Sequence, residues 1–208
     1  VIDLAPQAGA AVLALGRPEP VVLIDSQADL AALVLAAGAA EPSTVAVLVR
    51  HTSGFLCAAM PPQVPDRLRI PVSPARDLRP RDIEFGISVD AVGTGTGISA
   101  AARATTFRRL ADPAAVPGDF TRPGHVITVR VLTAHLPPVT LPGAAVALVR
   151  ATGGEPVAAY GHLVSERDPT GLAGAREARE FARREGLTAV STAELVERGP
   201  SLAAAVRP

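Results

Sequence analysis

The stretch from Phe85 to Leu110 constrains the chain more than any other. Phe85 to Ala91 alternates as a strand does, Gly93, Gly95 and Gly97 form a turn, and Ser99 is a good N-cap for a helix running to Leu110. A strand, a glycine turn and a helix N-terminus bring backbone N–H groups to one point, where an anion can be held. The Gly-x-Gly-x-Gly spacing is not that of a dinucleotide fingerprint, and a plain connection accounts for it without any ligand.

Around this unit the pattern alternates between helix and strand. Residues 7–15 read as a helix ended by Gly16 and Pro18, and Val21 to Ile24 as a buried strand. An alanine-rich segment without clear periodicity then runs to Ala40. Pro42 opens a helix through Arg50, and Phe55 to Ala59 reads as the next strand. The proline-rich stretch from Pro61 to Pro80 is mostly loop, with a helical turn near Asp66 to Arg69; its length suggests a lid or a binding function. Val126 to Leu132, Val157 to Val164 and Ala189-Val190 are expected strands, and Ala144 to Ala151, Ala173 to Glu185 and a segment from Thr192 are expected helices. The fold expected is α+β, a mixed β-sheet flanked by helices, in a single domain over residues 1–208.

Charge narrows the function classes. Twenty basic residues balance twenty acidic ones with no long run of one sign, so no footprint for nucleic acid is present. No run reaches the roughly 18 to 20 apolar residues of a membrane span, and a soluble cytoplasmic protein is the expectation. All the basic residues are arginine; without lysine there is neither a lysine Schiff base nor a P-loop. One cysteine and four scattered histidines provide no zinc-type spacing, so no metal and no cofactor is implied by the residues themselves.

Two motifs carry more specific information: Thr96-Gly97-Ile98-Ser99-Ala100 leading into Arg103-Ala104-Thr105-Thr106, and Arg122-Pro123-Gly124-His125-Val126. Leu110-Ala111-Asp112-Pro113 and Pro117-Gly118-Asp119-Phe120 join them. Together they resemble the 3,4-dihydroxy-2-butanone 4-phosphate synthase family, magnesium-dependent lyases that convert ribulose 5-phosphate to a four-carbon riboflavin precursor and formate. The resemblance extends from about Val21 to Arg198. It implies a homodimer with its catalytic centre near the subunit interface, and it matches Cys57, Thr96 and His125 to substrate-contacting positions.

The same resemblance exposes losses. Where the family's first strand runs into an acidic loop, Asp-Asp-Glu-Asp-Arg-Glu-Asn-Glu-Gly-Asp, this chain has Ile24-Asp25-Ser26-Gln27-Ala28-Asp29-Leu30. Where the family has Arg-Ala-Gly-His-Thr-Glu-Ala, it has Pro138-Val139-Thr140-Leu141-Pro142-Gly143-Ala144, with leucine at the ligand histidine. The family's Cys-Glu-Ile is Gly161-His162-Leu163, and its aspartate before Arg103 is Ala102. Magnesium prefers oxygen ligands, and a sugar phosphate needs donors or cations to replace its lost water; leucine, valine and proline side chains provide none.

His125 is therefore the first candidate catalytic residue, because imidazole suits proton transfer near neutrality, and His162, at a family carboxylate position, is the second. Cys57, Thr96, Ser99, Arg103, Leu141 and Tyr160 are candidate substrate-binding residues; Tyr160 shares a face with His162 by strand alternation. His135 reads as a loop residue. The pocket is expected between the Cys57 strand, the Thr96 to Ser99 turn and His125, walled by Leu141 and Pro142. The first reading is a scaffold repurposed for metal-independent cyclisation, isomerisation or elimination of a less charged small molecule, with Thr96 or Ser99 hydroxyls stabilising an oxyanion. The alternatives are a non-catalytic small-molecule binder or partner subunit, and residual synthase activity.

Overall fold

The computed structural model describes residues 6–73, 82–132 and 140–197 of the chain. The elements are, in chain order, α1 (Pro6–Leu15), β1 (Val21–Asp25), β2 (Leu30–Ala36), α2 (Pro42–His51), β3 (Cys57–Met60), α3 (Gln63–Arg67), β4 (Ile83–Phe85), β5 (Val89–Ala91), α4 (Ala100–Leu110), β6 (Phe120–Val131), α5 (Leu141–Ala151), β7 (Ala158–His162), α6 (Ala175–Glu185), β8 (Thr188–Ser191) and α7 (Thr192–Glu197). Short 3₁₀ turns at Ala37–Ala39 and Pro117–Asp119 join them.

The strands form one mixed sheet ordered β4-β6-β3-β7-β2-β1-β8, with β5 on the early part of β6. β3 runs parallel to β6, and β1 parallel to β8; the other pairings are antiparallel. Helices cover both faces. Val45 and Leu48 of α2, Phe107 and Leu110 of α4 and Phe181 of α6 join one buried cluster with Leu33, Ala58 and Val126 from the sheet. Ala11 and Leu15 of α1, Ala144 and Leu148 of α5 and Leu195 of α7 join the other, with Val34, Ala59 and Val129. The expected α+β architecture is thus present as three layers, with the sheet in the middle.

Most boundaries fall within a few residues of the expectation, and three larger departures bear on the site. The alanine-rich segment forms β2, buried on both faces from Ala31 to Ala36. Burial on both sides removes the alternation that marks a strand, and alanine has little strand preference of its own. The expected strand over Phe85 to Ala91 is two short ones, β4 and β5, both on β6. Finally, β6 begins at Phe120, six residues before the expected start, because the strand runs through Arg122-Pro123-Gly124-His125. His135, and the part of the Pro61 to Pro80 stretch beyond Ser73, lie outside the described residues.

Candidate active site

The second motif leaves the β5–β6 ladder. Val89 pairs with Val126, but Asp90 pairs with Thr121, so residues 122–125 form a bulge opposite a single step of β5. The Arg122-Pro123 bond in this bulge is cis. Gly124 brings it against β5: a Cβ there would lie 2.1 Å from the Val89 carbonyl carbon. Its N–H donates to Ser88 Oγ at 3.2 Å.

The bulge sets His125 against Asp90. Asp90 Oδ1 accepts the His125 backbone N–H at 2.9 Å, and Oδ2 lies 2.7 Å from His125 Nδ1. The Asp90 side chain is only 10% exposed, whereas that of His125 is 40% exposed, so the carboxylate is the buried anchor and the ring faces out. A carboxylate can only accept here, so the bond to it calls for a proton on Nδ1. Gly97 completes the anchor. Its φ is +78°, and a Cβ there would lie 2.0 Å from Asp90 Oδ2, so only glycine leaves room for the carboxylate. The glycine turn and the Arg-Pro-Gly-His motif thus build one object, an aspartate–histidine pair, whose aspartate the sequence reasoning missed. No local signal marked it, since one acidic residue in a strand is ordinary until the bulge folds back over it.

The other candidates fall into two groups. Ser99 caps α4, its Oγ accepting the Ala102 N–H at 3.1 Å, and Thr96 is exposed on the turn. Arg103 is buried and donates from Nη1 to the Gly54 carbonyl at 2.7 Å, at the entrance to β3. These residues lie on the glycine turn and the α4 start that follow Asp90 in the chain, and of this turn it is Gly97 that packs on the Asp90 carboxylate. Across the sheet, Cys57 pairs with Tyr160 on β7 and Ile127 on β6, two residues beyond His125. Strand spacings of about 4.8 Å and rises of about 3.3 Å put the Cα atoms of His125 and Cys57 roughly 8 Å apart, and those of His125 and His162 roughly 10 Å apart.

The second group shares the α5 face. The Tyr160 hydroxyl is hydrogen-bonded to the Cys57 thiol, and the Tyr160 and His162 rings meet edge-on with centroids 6.1 Å apart. Leu141, at the start of α5, is buried in the same cluster as Cys57 and Tyr160. Burial pushes the thiol up to about 11, against the smaller effect of the tyrosine bond, and raises Tyr160 further. Both groups are therefore neutral at physiological pH. Burial also lowers the His162 pKa, opposed by the Ala31 backbone, and its Nδ1 is buried without a hydrogen-bond partner among the described residues. A neutral imidazole beside a thiol and a phenol makes an uncharged cluster within the core.

A separate groove of about 480 Å³ lies along α4, lined by Val92, Thr105, Arg108, Arg109, Asp112 and Asp119. Its charges are already engaged: Arg109 with Asp112 and Asp119, and Arg108 with the Ala40 carbonyl.

A family model described as 3,4-dihydroxy-2-butanone 4-phosphate synthase matches residues 9–198. The chain belongs to that family. It is 40% identical over 193 residues to riboflavin biosynthesis protein RibBA of Mycobacterium marinum, and 39% identical to that of Mycobacterium tuberculosis. Each match takes in 90% of this chain and 45% of the relative, so the chain spans less than half the length of these relatives. A 3,4-dihydroxy-2-butanone 4-phosphate synthase crystallised with two magnesium ions superposes with a TM-score of 0.83 at 32% identity, covering 91% of this chain and 94% of the other. The Candida albicans synthase gives 0.84 at 28% identity, covering 94% and 98%.

Magnesium in such a relative raises the question of whether the residues here fit it. The two carboxylates in the β1–β2 turn have other partners. Asp25 Oδ1 accepts the N–H groups of Gln27 and Ala28 at 3.0 and 3.1 Å. Asp29, held at φ 51°, accepts the Ala175 N–H at 2.7 Å and so caps α6. Leu141 stands where a ligand histidine is expected and is 5% exposed. Among the described residues no three of His, Cys, Asp and Glu come together as a ligand set. A hard cation that binds through carboxylates and substrate oxygens does not fit this donor set. Among the described residues, no helix is long and apolar enough to cross a membrane.

Proposed function

We propose that this synthase-family chain is a proton-transfer catalyst, acting without a magnesium site on a small hydroxy-carbonyl compound that carries less charge than a sugar phosphate. The observation that carries this reading is the Asp90–His125 pair, with Nδ1 2.7 Å from the buried carboxylate and the histidine side chain 40% exposed. Nε2 removes a proton next to the substrate carbonyl, and Asp90 stabilises the imidazolium that results. Hydroxyls of Thr96 or Ser99 donate to the oxyanion, and His162 returns or relays a proton from the far side. The uncharged cluster of Cys57, Tyr160, His162 and Leu141 across the sheet offers no cation for a phosphate, and an unpaired anion brought against it would lose hydration without replacement. Isomerisation, elimination or cyclisation would each begin with this proton abstraction.

Deuterium exchange tests it. Unphosphorylated three- to five-carbon hydroxyketones in D₂O with chelator should exchange their α-protons in the presence of the wild-type protein and stop doing so with His125→Ala. Exchange confined to ribulose 5-phosphate with magnesium would defeat the proposal.

The second reading is residual synthase activity. The family membership, the 40% identity to RibBA and the retained Cys57, Thr96 and His125 favour it. Formate release from ribulose 5-phosphate, abolished by chelator, would establish it.

A further inference from the structure

The bulge sets residues 122–125 of β6 against a single step of β5, so these residues have no ladder partners there and must be held in some other way. Its far end is held from β5, where Ser88 Oγ accepts the Gly124 N–H and Asp90 Oδ1 accepts the His125 N–H. Pro123 has no N–H and is exposed. The near end is held by one side chain, that of Arg122. Its Nη2 donates to the Leu68 carbonyl at 2.8 Å, and its Nη1 to the Pro117 and Phe120 carbonyls at 3.2 and 3.3 Å. Leu68 closes α3, and Pro117 opens the 3₁₀ turn that leads into β6. A planar guanidinium directs its donors at fixed angles, so one group ties the bulge to both segments at once. Arg67 is a second clamp on α3: its Nη1 donates to the Asp112, Pro113 and Ala115 carbonyls at 3.2, 2.9 and 2.8 Å, and among the described residues it bonds none of the bulge.

We propose that Arg122 is a positioning residue: its fork to the Leu68 and Pro117 carbonyls fixes the near end of the bulge and so holds the His125 ring against Asp90. Its bearing on catalysis rests on reading Asp90 and His125 as the proton-transfer pair. Only Pro123 and Gly124 separate Arg122 from His125, and glycine gives the backbone freedom to swing if one end is released. The bond at stake tolerates little movement. Hydrogen bonds of this kind fade beyond about 3.2 Å, so a shift of the bulge by roughly half an ångström is enough to loosen the 2.7 Å contact between Nδ1 and the carboxylate. Ser88 and Asp90 hold the bulge from one side and Arg122 from the other, and the ring orientation needs both.

Nuclear magnetic resonance of protein labelled with ¹⁵N-histidine tests this. The His125 ring signals, assigned by their loss in His125→Gln, should show an Nδ1–H that is bonded to the carboxylate and protected from exchange with water. In Arg122→Ala that proton should exchange about tenfold faster or more, the scale set by loss of one hydrogen bond to a charged group. Arg67→Ala removes the other clamp on α3 and should leave the exchange unchanged, even where its melting temperature falls as far. Wild-type exchange in a folded Arg122→Ala protein, or equal acceleration in both variants, would overturn the proposal. Should Arg122→Ala fail to fold, Arg122→Lys decides: lysine keeps the charge but cannot span both segments, so faster exchange supports the proposal and wild-type exchange refutes it. A wild-type ring without an Nδ1–H would overturn both the positioning role and the proton-transfer pair. A protein that shows the Arg122 effect but leaves the α-protons of hydroxyketones unexchanged keeps the positioning role and loses only the proton-transfer reading.

Discussion

Replacing Gly97 with alanine should cost far more than replacing its neighbour Gly93, although both glycines sit in the same turn with positive φ. Gly93 has φ +86° and no atom within 4 Å of where a Cβ would stand, so Gly93→Ala isolates the conformational cost. That cost is about 1 to 2 kcal/mol for a non-glycine residue in the left-handed region. At Gly97, φ is +78°, and the added methyl would lie 2.0 Å from Asp90 Oδ2 and 2.3 Å from its Cγ. The carboxylate must move, and a charge-assisted bond to His125 worth about 1.5 to 3 kcal/mol goes with it. Gly97→Ala should therefore lose about 2.5 to 5 kcal/mol, roughly 1.5 to 3 more than the control. With a urea slope of about 2 kcal/mol per molar, the two variants' unfolding midpoints should differ by about 1 M. Urea denaturation followed by circular dichroism measures this. If the two midpoints fall together, the Gly97–Asp90 contact does not hold the aspartate, and the two motifs are not joined through it.

Three other perturbations read the same scaffold. Cys57 is 3% exposed and its thiol is raised from 9.0 to about 11, so its burial stabilises the fold fully below pH 9 and that contribution, about 3 kcal/mol, fades as pH rises toward 11; denaturation midpoints across this range should fall, and fall less in Cys57→Ala. Leu141→His should confer no magnesium affinity by calorimetry and should cost about 2 to 4 kcal/mol in chemical denaturation, since a buried leucine is lost and an imidazole is put in its place without partners; a magnesium-dependent rise in melting temperature would contradict this. Light scattering should give twice the chain mass of 21.2 kDa, as expected for a dimer of this family, and a monomer at micromolar concentration would remove that expectation.

The elements legible in the sequence were those whose local chemistry and tertiary environment agree. α4 begins after Ser99 and ends at Leu110, as its cap and periodicity require. α2 opens at Pro42, whose missing N–H costs nothing in the first turn. β2 was illegible because its information is tertiary: Ala31 and Ala32 become strand residues only between β1 and β7, where both faces are covered. The early start of β6 was hidden for a related reason. Arg122-Pro123-Gly124 reads as a turn, and it is one locally, but the bulge it makes is spliced into a strand that pairs on either side of it.

The site shows the same division. His125 could be singled out from its motif, whereas Asp90 could not, since a single aspartate in a strand acquires meaning only when a bulge 35 residues later folds back over it. The reverse holds for Asp25 and Asp29. As letters they fall where the family resemblance leads one to expect an acidic loop; in the fold they are a turn brace and a helix cap. Their carboxylates satisfy backbone N–H groups that would otherwise be unpaired at the β1–β2 turn and at the start of α6. A metal drawing on them would have to break those bonds first. The β1–β2 turn is thus stabilised by the groups that a ligand loop would need to keep free, while the Asp90–His125 pair, built from β5, β6 and the glycine turn, does not depend on that turn for any of its contacts. The Asp90–His125 pair and the β1–β2 turn therefore rest on separate sets of contacts within one scaffold.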